Sequence, residues 1–346
     1  MVAVSQSELL CRACAGQCAY SPEQAALECT SCGQTHQIAH DANANPGREF
    51  HFDPDFPHKE QSVPSRDLAH RCETCGGEII FTGPALSDRC AYCDGPVVLQ
   101  AEEASYEAIG LIPFRIDRAD AQARAVDWSR RRIAAPGDLV RHVTEARVTG
   151  LYVPFWTFDS TEAIDYLVKY RVKSGDTWVT RSHSGSMTTS FDDLLMPASP
   201  HVTPLIRDGI LHDFEPGNLR PYEPAYLAGF AAERHHQTVK EGLAANEPDK
   251  RLLIRNRIKA HSGKRRITSI SYKTDTTGIR YRRILLPVWI LHYAHDGKPK
   301  KVVVCGMQGR TFGERPFSTL KLLGYSAALS AFAMGFGWIW GASGIF

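Results

Sequence analysis

Eight of the ten cysteines fall into two copies of one pattern, Cys11 and Cys14 with Cys29 and Cys32, then Cys72 and Cys75 with Cys90 and Cys93. Each copy reads C-x2-C-x14-C-x2-C, and Cys11 to Cys72 and Cys32 to Cys93 are both displaced by 61 residues. A fixed displacement marks an internal repeat. Two thiolates separated by two residues can turn back onto one metal ion, and a second such knuckle a short hairpin later completes a tetrahedron. The spacing therefore predicts two zinc ribbons, each holding one Zn2+ on four sulfurs. The competing readings are disulfides or buried thiols, and zinc-type pairs suit a reducing compartment better than disulfides do. A four-thiolate site has no open position for water or substrate, so it is structural and not catalytic. The metal stands in for a core that segments this short cannot build, so each ribbon is expected to unfold without it. Gly33, Gly76 and Gly95 follow cysteines, where a knuckle needs positive φ.

Cys18 and Cys305 are left over. Cys18 competes with Cys14 as a ligand, but the match of the two copies favours Cys14. Cys305 ends Val302-Val303-Val304-Cys305, which reads as a strand with a buried thiol. His51, His58 and His70 lie between or beside the ribbons and read as solvated loop residues, since each ribbon already has four sulfurs.

The 346 residues suggest two or three domains. Net charge is only +2, but it is unevenly spread. Residues 1–105 hold 6 basic and 15 acidic side chains, a net of −9, while residues 250–301 hold 15 and 2, a net of +13. The acidic ribbons would repel a phosphate backbone, and the basic stretch would attract one. The first ten residues lack the basic and long apolar regions of a secretory signal.

Residues 40–70, with Pro46, Pro54, Pro57 and Pro64, read as a linker. The expected organisation is ribbon 1 over 1–39, linker over 40–70, ribbon 2 over 71–100, an α+β domain over 101–318 and a hydrophobic tail over 319–346. Within the α+β domain, Tyr152-Val153-Pro154-Phe155-Trp156 and Leu285-Leu286-Pro287-Val288-Trp289 share a proline before an apolar residue and a tryptophan. Proline donates no ladder bond, so these are expected at strand starts, edges or bulges of equivalent strands. Residues 119–133 suggest a helix ended by Pro136-Gly137. Residues 164–172 and 177–180 alternate like paired strands about Ser174-Gly175-Asp176. Residues 192–262 read as mostly helical, and residues 291–307 as a hairpin around Asp296-Gly297.

After Lys321 no charged side chain follows. That length exceeds the roughly 20 residues needed to cross about 30 Å of hydrocarbon. Tyr325 near one end and Trp338 and Trp340 near the other fit interfacial positions, and Arg310, Arg315 and Lys321 before the segment place the bulk of the chain on the cytoplasmic side. The tail reads as a candidate transmembrane anchor, against the alternative of a buried terminal helix.

Taken together, the paired ribbons, Leu111-Ile112-Pro113-Phe114, Gly150 to Trp156, Tyr226-Leu227-Ala228-Gly229-Phe230, Leu285 to Arg310 and Gly313-Glu314-Arg315-Pro316-Phe317-Ser318 carry a resemblance. The chain resembles the bacterial TFIIB-type zinc-ribbon-containing proteins, often labelled as primosomal-protein-N′ or superfamily II helicase-like. The resemblance implies a membrane-associated double zinc-ribbon protein. It also implies a protein partner that is phage-shock-protein-A-like or stomatin/flotillin-like, and a role as a membrane recruitment adaptor. Cys18 and the His235-His236 pair are outside the family pattern.

The helicase label meets no support in the residues. A phosphate cradle needs G-x4-G-K-[ST], and neither Gly263-Lys264 nor Gly297-Lys298 fits. Neither H-E-x-x-H nor G-x-S-x-G occurs. His235-His236, Asp192-Asp193 and Ser182-His183-Ser184 read as an exposed pair, a helix cap and a lone triplet, so no nucleophile is assigned and no enzyme is expected. Two classes stay open. One is an adaptor tethered at the cytoplasmic face of the inner membrane, its basic stretch against anionic lipid. The other is a zinc-ribbon nucleic-acid-binding protein of transcription or replication, using residues 250–301.

Overall fold

The computed structural model describes residues 9–39, 44–54, 63–64, 69–82, 89–99, 104–106 and 108–342. The first ribbon is a three-stranded antiparallel sheet of β1 (Cys18–Ser21), β2 (Ala26–Cys29) and β3 (Thr35–His36). Two short strands follow, β4 (Phe50–His51) and β5 (Val63–Pro64). The second ribbon is β6 (Ala69–Cys72), β7 (Glu78–Phe81) and β8 (Val97–Leu99). β9 (Ala104–Ser105) and β10 (Gly110–Leu111) lead to helices α1 (Arg118–Arg130) and α2 (Leu139–Thr144). Then come two long strands, β11 (Arg147–Ser174) and β12 (Thr177–Pro197). α3 (Pro204–Leu211), β13 (Arg220–Pro221), β14 (Ala231–Glu233) and α4 (Val239–Ser262) precede β15 (Ile267–His295) and β16 (Lys298–Cys305). The chain closes with β17 (Thr311–Gly313) and α5 (Thr319–Ala342). The molecule is mixed α+β around one large sheet, with an apolar C-terminal helix. Of the linker, residues 44–54, 63–64 and 69–70 are described; Pro57 and His58 lie outside the described residues.

β11 and β15 form the axis, paired antiparallel from Arg147↔His292 to Tyr170↔Ile267. Near α2 both faces of this pair are covered. Val148, Tyr152, Leu285 and Trp289 face α1, α2 and ribbon 1. Leu151, Val153, Phe155, Leu286 and Val288 face α3 and ribbon 2. Alternate side chains of a strand point to opposite faces, so a near-continuous apolar run is what a doubly covered strand requires.

The two prolines of the equivalent strands lie inside this sheet, and their neighbours explain how. The carbonyl of Pro154 accepts from Ala198 N (3.0 Å), so its missing N–H falls where β14, paired up to Tyr152, hands over to β12, which begins pairing at Phe155. The carbonyl of Pro287 accepts from Gly306 N (3.0 Å), in the gap where β10 ends opposite Leu285 and β16 begins opposite Val288. Each proline occupies a break in a flanking strand, the local equivalent of an edge.

Beyond Ser160 the three strands β12, β11 and β15 leave the body as an arm. At about 3.3 Å per residue, the stretch to Ser174 runs about 45 Å. Helix α4 covers one face of it through Ile164, Tyr166, Val168, Phe191, Ile254, Ile258 and Ile270. At the root of the arm, buried Glu162 accepts from Ser160, Thr274, Thr276 and the Lys250 ammonium (2.6–2.8 Å). The turn at Gly175 (φ 59°) stands where Ser174-Gly175-Asp176 predicts it.

The helical expectation for residues 192–262 holds only in part. β12 continues to Pro197 because Leu195 and Met196 are buried by pairing with β11, and cross-strand burial outweighs intrinsic propensity. Helix begins in earnest at α4, which carries a Thr238/Glu241 capping box and ends at Gly263 with φ 61°. It passes through Pro248, whose ring lies on the exposed side.

The first turns of α5 hook it to the body. Ser318 N, Lys321 Nζ and Tyr325 Oη donate to the carbonyls of Ala134, Ala135 and Ile133. Its described apolar side chains are exposed, Leu329, Phe332 and Trp338 among them. Over Thr319–Trp338 it is long and apolar enough to cross a membrane, and none of that span is buried in the body.

Candidate metal centres

Each set of four cysteines converges on a point. Sγ atoms of the first set lie 3.5–3.7 Å apart across Cys11–Cys32, Cys14–Cys29 and Cys14–Cys32. In the second, Cys72–Cys93 and Cys75–Cys90 are 3.4 and 3.7 Å apart. A tetrahedron with metal–sulfur bonds of about 2.3 Å has edges of about 3.8 Å, whereas a disulfide is about 2.05 Å. The spacings fit a metal cage and exclude disulfides, and all ten cysteines are free.

The repeat extends to the backbone. The bridge Leu10↔Gln17 recurs 61 residues later as Arg71↔Glu78, and Glu28↔Thr35 recurs as Arg89↔Pro96. Each knuckle turns amides towards sulfur: Ala13 N to Cys11, Ser31 N to Cys29, Thr74 N to Cys72 and Tyr92 N to Cys90, at 3.3–3.4 Å. The residue four after the first cysteine of each knuckle has positive φ: Ala15, Gly33, Gly76 and Asp94. Gly33 and Gly76 are as expected, whereas in the last knuckle the left-handed residue is Asp94 and not Gly95. Gly95 is small for another reason, since a Cβ there would meet Thr74 Oγ1 at 2.2 Å.

Two histidines bound the cages. His36 Nε2 lies 3.2 Å from Cys11 Sγ, and His201 hydrogen-bonds Cys75. The first contact, chiefly, pulls the Cys11 thiol down to about 5. The Cys75 thiol falls to about 3, first through the Cys90 sulfur and, after burial opposes it, through His201. Crowded sulfurs that share protons in this way are prepared to surrender them to a cation. Sequence reasoning missed both histidines. His36 sits in β3 without motif spacing, and His201 is far away in the chain.

Cys18 is buried in β1 outside the cage, its thiol pushed up to about 11 chiefly by burial, so it does not displace Cys14. Cys305 is buried in β16, as its strand pattern predicts. Neither His51 nor His70 joins a cage.

The other candidate groups have local explanations. His235 and His236 are not an exposed pair. His235 is buried edge-on to Trp156, 3.2 Å from the Ile284 carbonyl, and burial drives its imidazole down to about 3. His236 pairs with Glu78 at 3.2 Å. Asp193 caps no helix: it sits at a bulge of β12 with φ 49°, against Arg282. Its neighbours Glu49 and Asp159 share Arg280 and Arg282. Asp138 and His142 form an i,i+4 pair at 3.0 Å facing His295. His183, in its serine triplet on β12, leans on Tyr166.

The basic stretch 250–301 does not make one patch. Arg251 and Arg255 lie exposed on α4, Arg282 and Arg283 are buried at the sheet centre, and Lys298 and Lys300 sit at the hairpin beside α2.

The chain is similar to "Uncharacterized protein YdjG" of Bacillus subtilis (strain 168), at 23% identity over 333 residues covering 92% of this chain and 93% of that protein. No family model and no solved structure matches it.

Proposed function

We propose that this is a non-enzymatic adaptor with two structural Zn2+ ions, tethered by α5 to the cytoplasmic face of a membrane and presenting its ribbons and body to a protein partner. The observation that carries it is α5: a long apolar helix, charged only at Lys321 in its first turn, whose described side chains beyond Tyr325 lie exposed. Exposing that much apolar surface to water costs about 25 cal/mol per Å2, and a bilayer removes the cost. Arg130, Arg131, Arg132, Arg315 and Lys321 gather where α5 leaves the body, the end that would meet anionic headgroups. The closed four-sulfur cages support a structural metal, with zinc the ordinary ion for that ligand set. A phage-shock-protein-A-like or stomatin/flotillin-like partner is the one the family resemblance implies.

Fractionation tests the anchor. Full-length protein is expected in the membrane fraction and extractable only with detergent, and deletion of 322–346 is expected to release it. A full-length chain that is soluble without detergent overturns the reading. Metal analysis is expected to find about two zinc ions per chain.

A further inference from the structure

The arm carries an uncovered strand edge. Among the described residues, β12 pairs only with β11, and no other strand meets its outer edge over residues 177–188; Arg257 of α4 reaches Thr189 and the Ser190 carbonyl where the arm begins. Pairing there runs without a register shift from Ser160↔Phe191 to Ser174↔Thr177. Natural edges are usually protected by prolines, bulges or charges. This one has no proline and no bulge, and Arg181 is its single Lys, Arg, Asp or Glu from Thr177 to Ser190. Trp178 and Val179 are 41% and 42% exposed. The opposite edge of the arm, on β15, has Lys273, Asp275 and a left-handed Gly278.

The surroundings are electropositive. Residues 167–183 and 255–271 hold 10 basic side chains and 1 acidic, a net of +9. Lys169, Arg171 and Lys173 are exposed on β11, on the face opposite α4, and Arg266 stacks on Trp178 at 3.9 Å. This end of the arm is also remote from α5. α5 joins the body at residues 133–135, beside α2, and the strands run the length of β11 before reaching the tip. Charge at the tip is therefore offered to something in solution and not to the bilayer at the base.

We propose that the outer edge of β12 accepts an extended strand from an acidic protein partner. The excess positive charge would attract any polyanion, but the edge narrows the choice. A strand edge offers N–H and C=O groups in alternation, and a phosphate backbone, having no donors, leaves every carbonyl unmet. A peptide strand satisfies both sets, and acidic side chains on it answer Lys169, Arg171 and Lys173. The proposal deepens the adaptor reading and rests on it by naming where and what kind of partner docks. Metal content and membrane partition do not involve the arm, so they report on that reading separately.

The test uses the full chain in detergent and a fluorescent synthetic peptide alternating Glu with Val and Thr. Binding is expected, and a Lys169→Glu/Arg171→Glu double change is expected to weaken it at least tenfold. Ser182→Pro and His183→Pro remove neighbouring N–H groups, of which one faces β11 and one faces outward. The outward variant is expected to abolish binding while leaving the thermal midpoint of the arm unchanged, and the inward one is expected to lower that midpoint. The proposal is overturned if a Gln-for-Glu peptide binds equally well, or if neither proline variant loses binding. It is also overturned if duplex DNA outcompetes the peptide, which would assign the tip to nucleic acid. A dimer that the outward proline dissociates would overturn it too, by making a second copy the occupant.

Discussion

The two ribbons share a cage and differ in what surrounds it. Ribbon 1 supplies its own outer histidine, His36, from β3. The position 61 residues later is Val97, and ribbon 2 takes its histidine from the body instead, as His201. Ribbon 1 keeps its own three-stranded sheet and touches the body through Tyr20, whose N donates to Ala228 O (2.9 Å) and whose ring meets Tyr226 and Phe230. Ribbon 2 is continuous with the body, since β7 pairs with β14 from Ile79↔Glu233 to Phe81↔Ala231. Tyr92, inside its last knuckle, donates to buried Glu233, which also accepts from Ser199 (2.7 Å). Cys14 and Cys32 are exposed, while their counterparts Cys75 and Cys93 are half-buried. One sequence repeat thus serves two mechanical roles: an attachment on one face of the β11–β15 pair and a structural part of the other.

Removing metal should expose this difference most strongly. Structural zinc contributes on the order of 10 kcal/mol to the segments it organises. In a Cys72→Ser/Cys75→Ser variant, loss of one ion is expected to unravel β6–β8, strip the cover from Ile79, Tyr92 and the body face they bury, and lower the unfolding midpoint of the whole body. A Cys11→Ser/Cys14→Ser variant is expected to lose one ion with a smaller drop, because β7 and β14 stay paired. Thermal unfolding by circular dichroism with zinc analysis measures both. Equal drops would show that the sheet connection carries no mechanical weight.

Glu233 offers a finer comparison, since it ties ribbon 2 to the body through a buried carboxyl, whereas Tyr20 ties ribbon 1 through backbone and ring contacts. Burial raises its carboxyl to about 7, against 4.5 for the free group, although Tyr92 and Ser199 hold it down in part. Between those values the folded chain keeps a proton that the unfolded chain has released. Stability from this group is therefore full below about pH 4.5 and declines as pH rises to about 7, by about 3 kcal/mol from the 1.36 kcal/mol per pH unit of linkage. Glu233→Gln is expected to remove that slope. Thiol protonation also destabilises the cages at low pH, but it acts on both proteins, so the difference between wild type and variant isolates Glu233. Denaturant unfolding across pH 5–8 measures it, and parallel curves would contradict the role.

Much of this contrast was invisible in the chain. The cages were legible because four sulfurs at fixed spacing have few uses, and their equivalence was legible because the displacement is constant. The turn at Gly175, the α1 helix and the apolar α5 were legible from local chemistry. The mechanical asymmetry was not, because it depends on β14, a three-residue strand far along the chain, and on which face of β11 each ribbon meets. Pro154 and Pro287 predicted strand starts, edges or bulges and lie inside the sheet, since the gaps that accommodate them are made by the ends of other strands. Residues 192–197 read as helix until pairing with β11 overrode them. The sequence left open whether the basic stretch 250–301 folds into one patch, and it lies at three places along an extended fold.

The smallest expected effect separates the two outer histidines. A partner of a metal-binding sulfur typically changes metal affinity 10- to 100-fold, because its N–H fixes the thiolate and spreads its charge. His36→Ala is expected to weaken the first cage by that factor while leaving the body's unfolding midpoint nearly unchanged, since His36 belongs to ribbon 1's own sheet. His201→Ala is expected to weaken the second cage similarly, but also to loosen the body, because His201 packs against Tyr92 and lies at the turn before α3. Competition with a chromophoric chelator resolves the two cages when one is disabled by its cysteine pair. If His201→Ala shifts affinity without shifting the midpoint, the coupling between ribbon 2 and the body runs through the β7–β14 pairing alone, and the histidine is a metal partner with no structural duty.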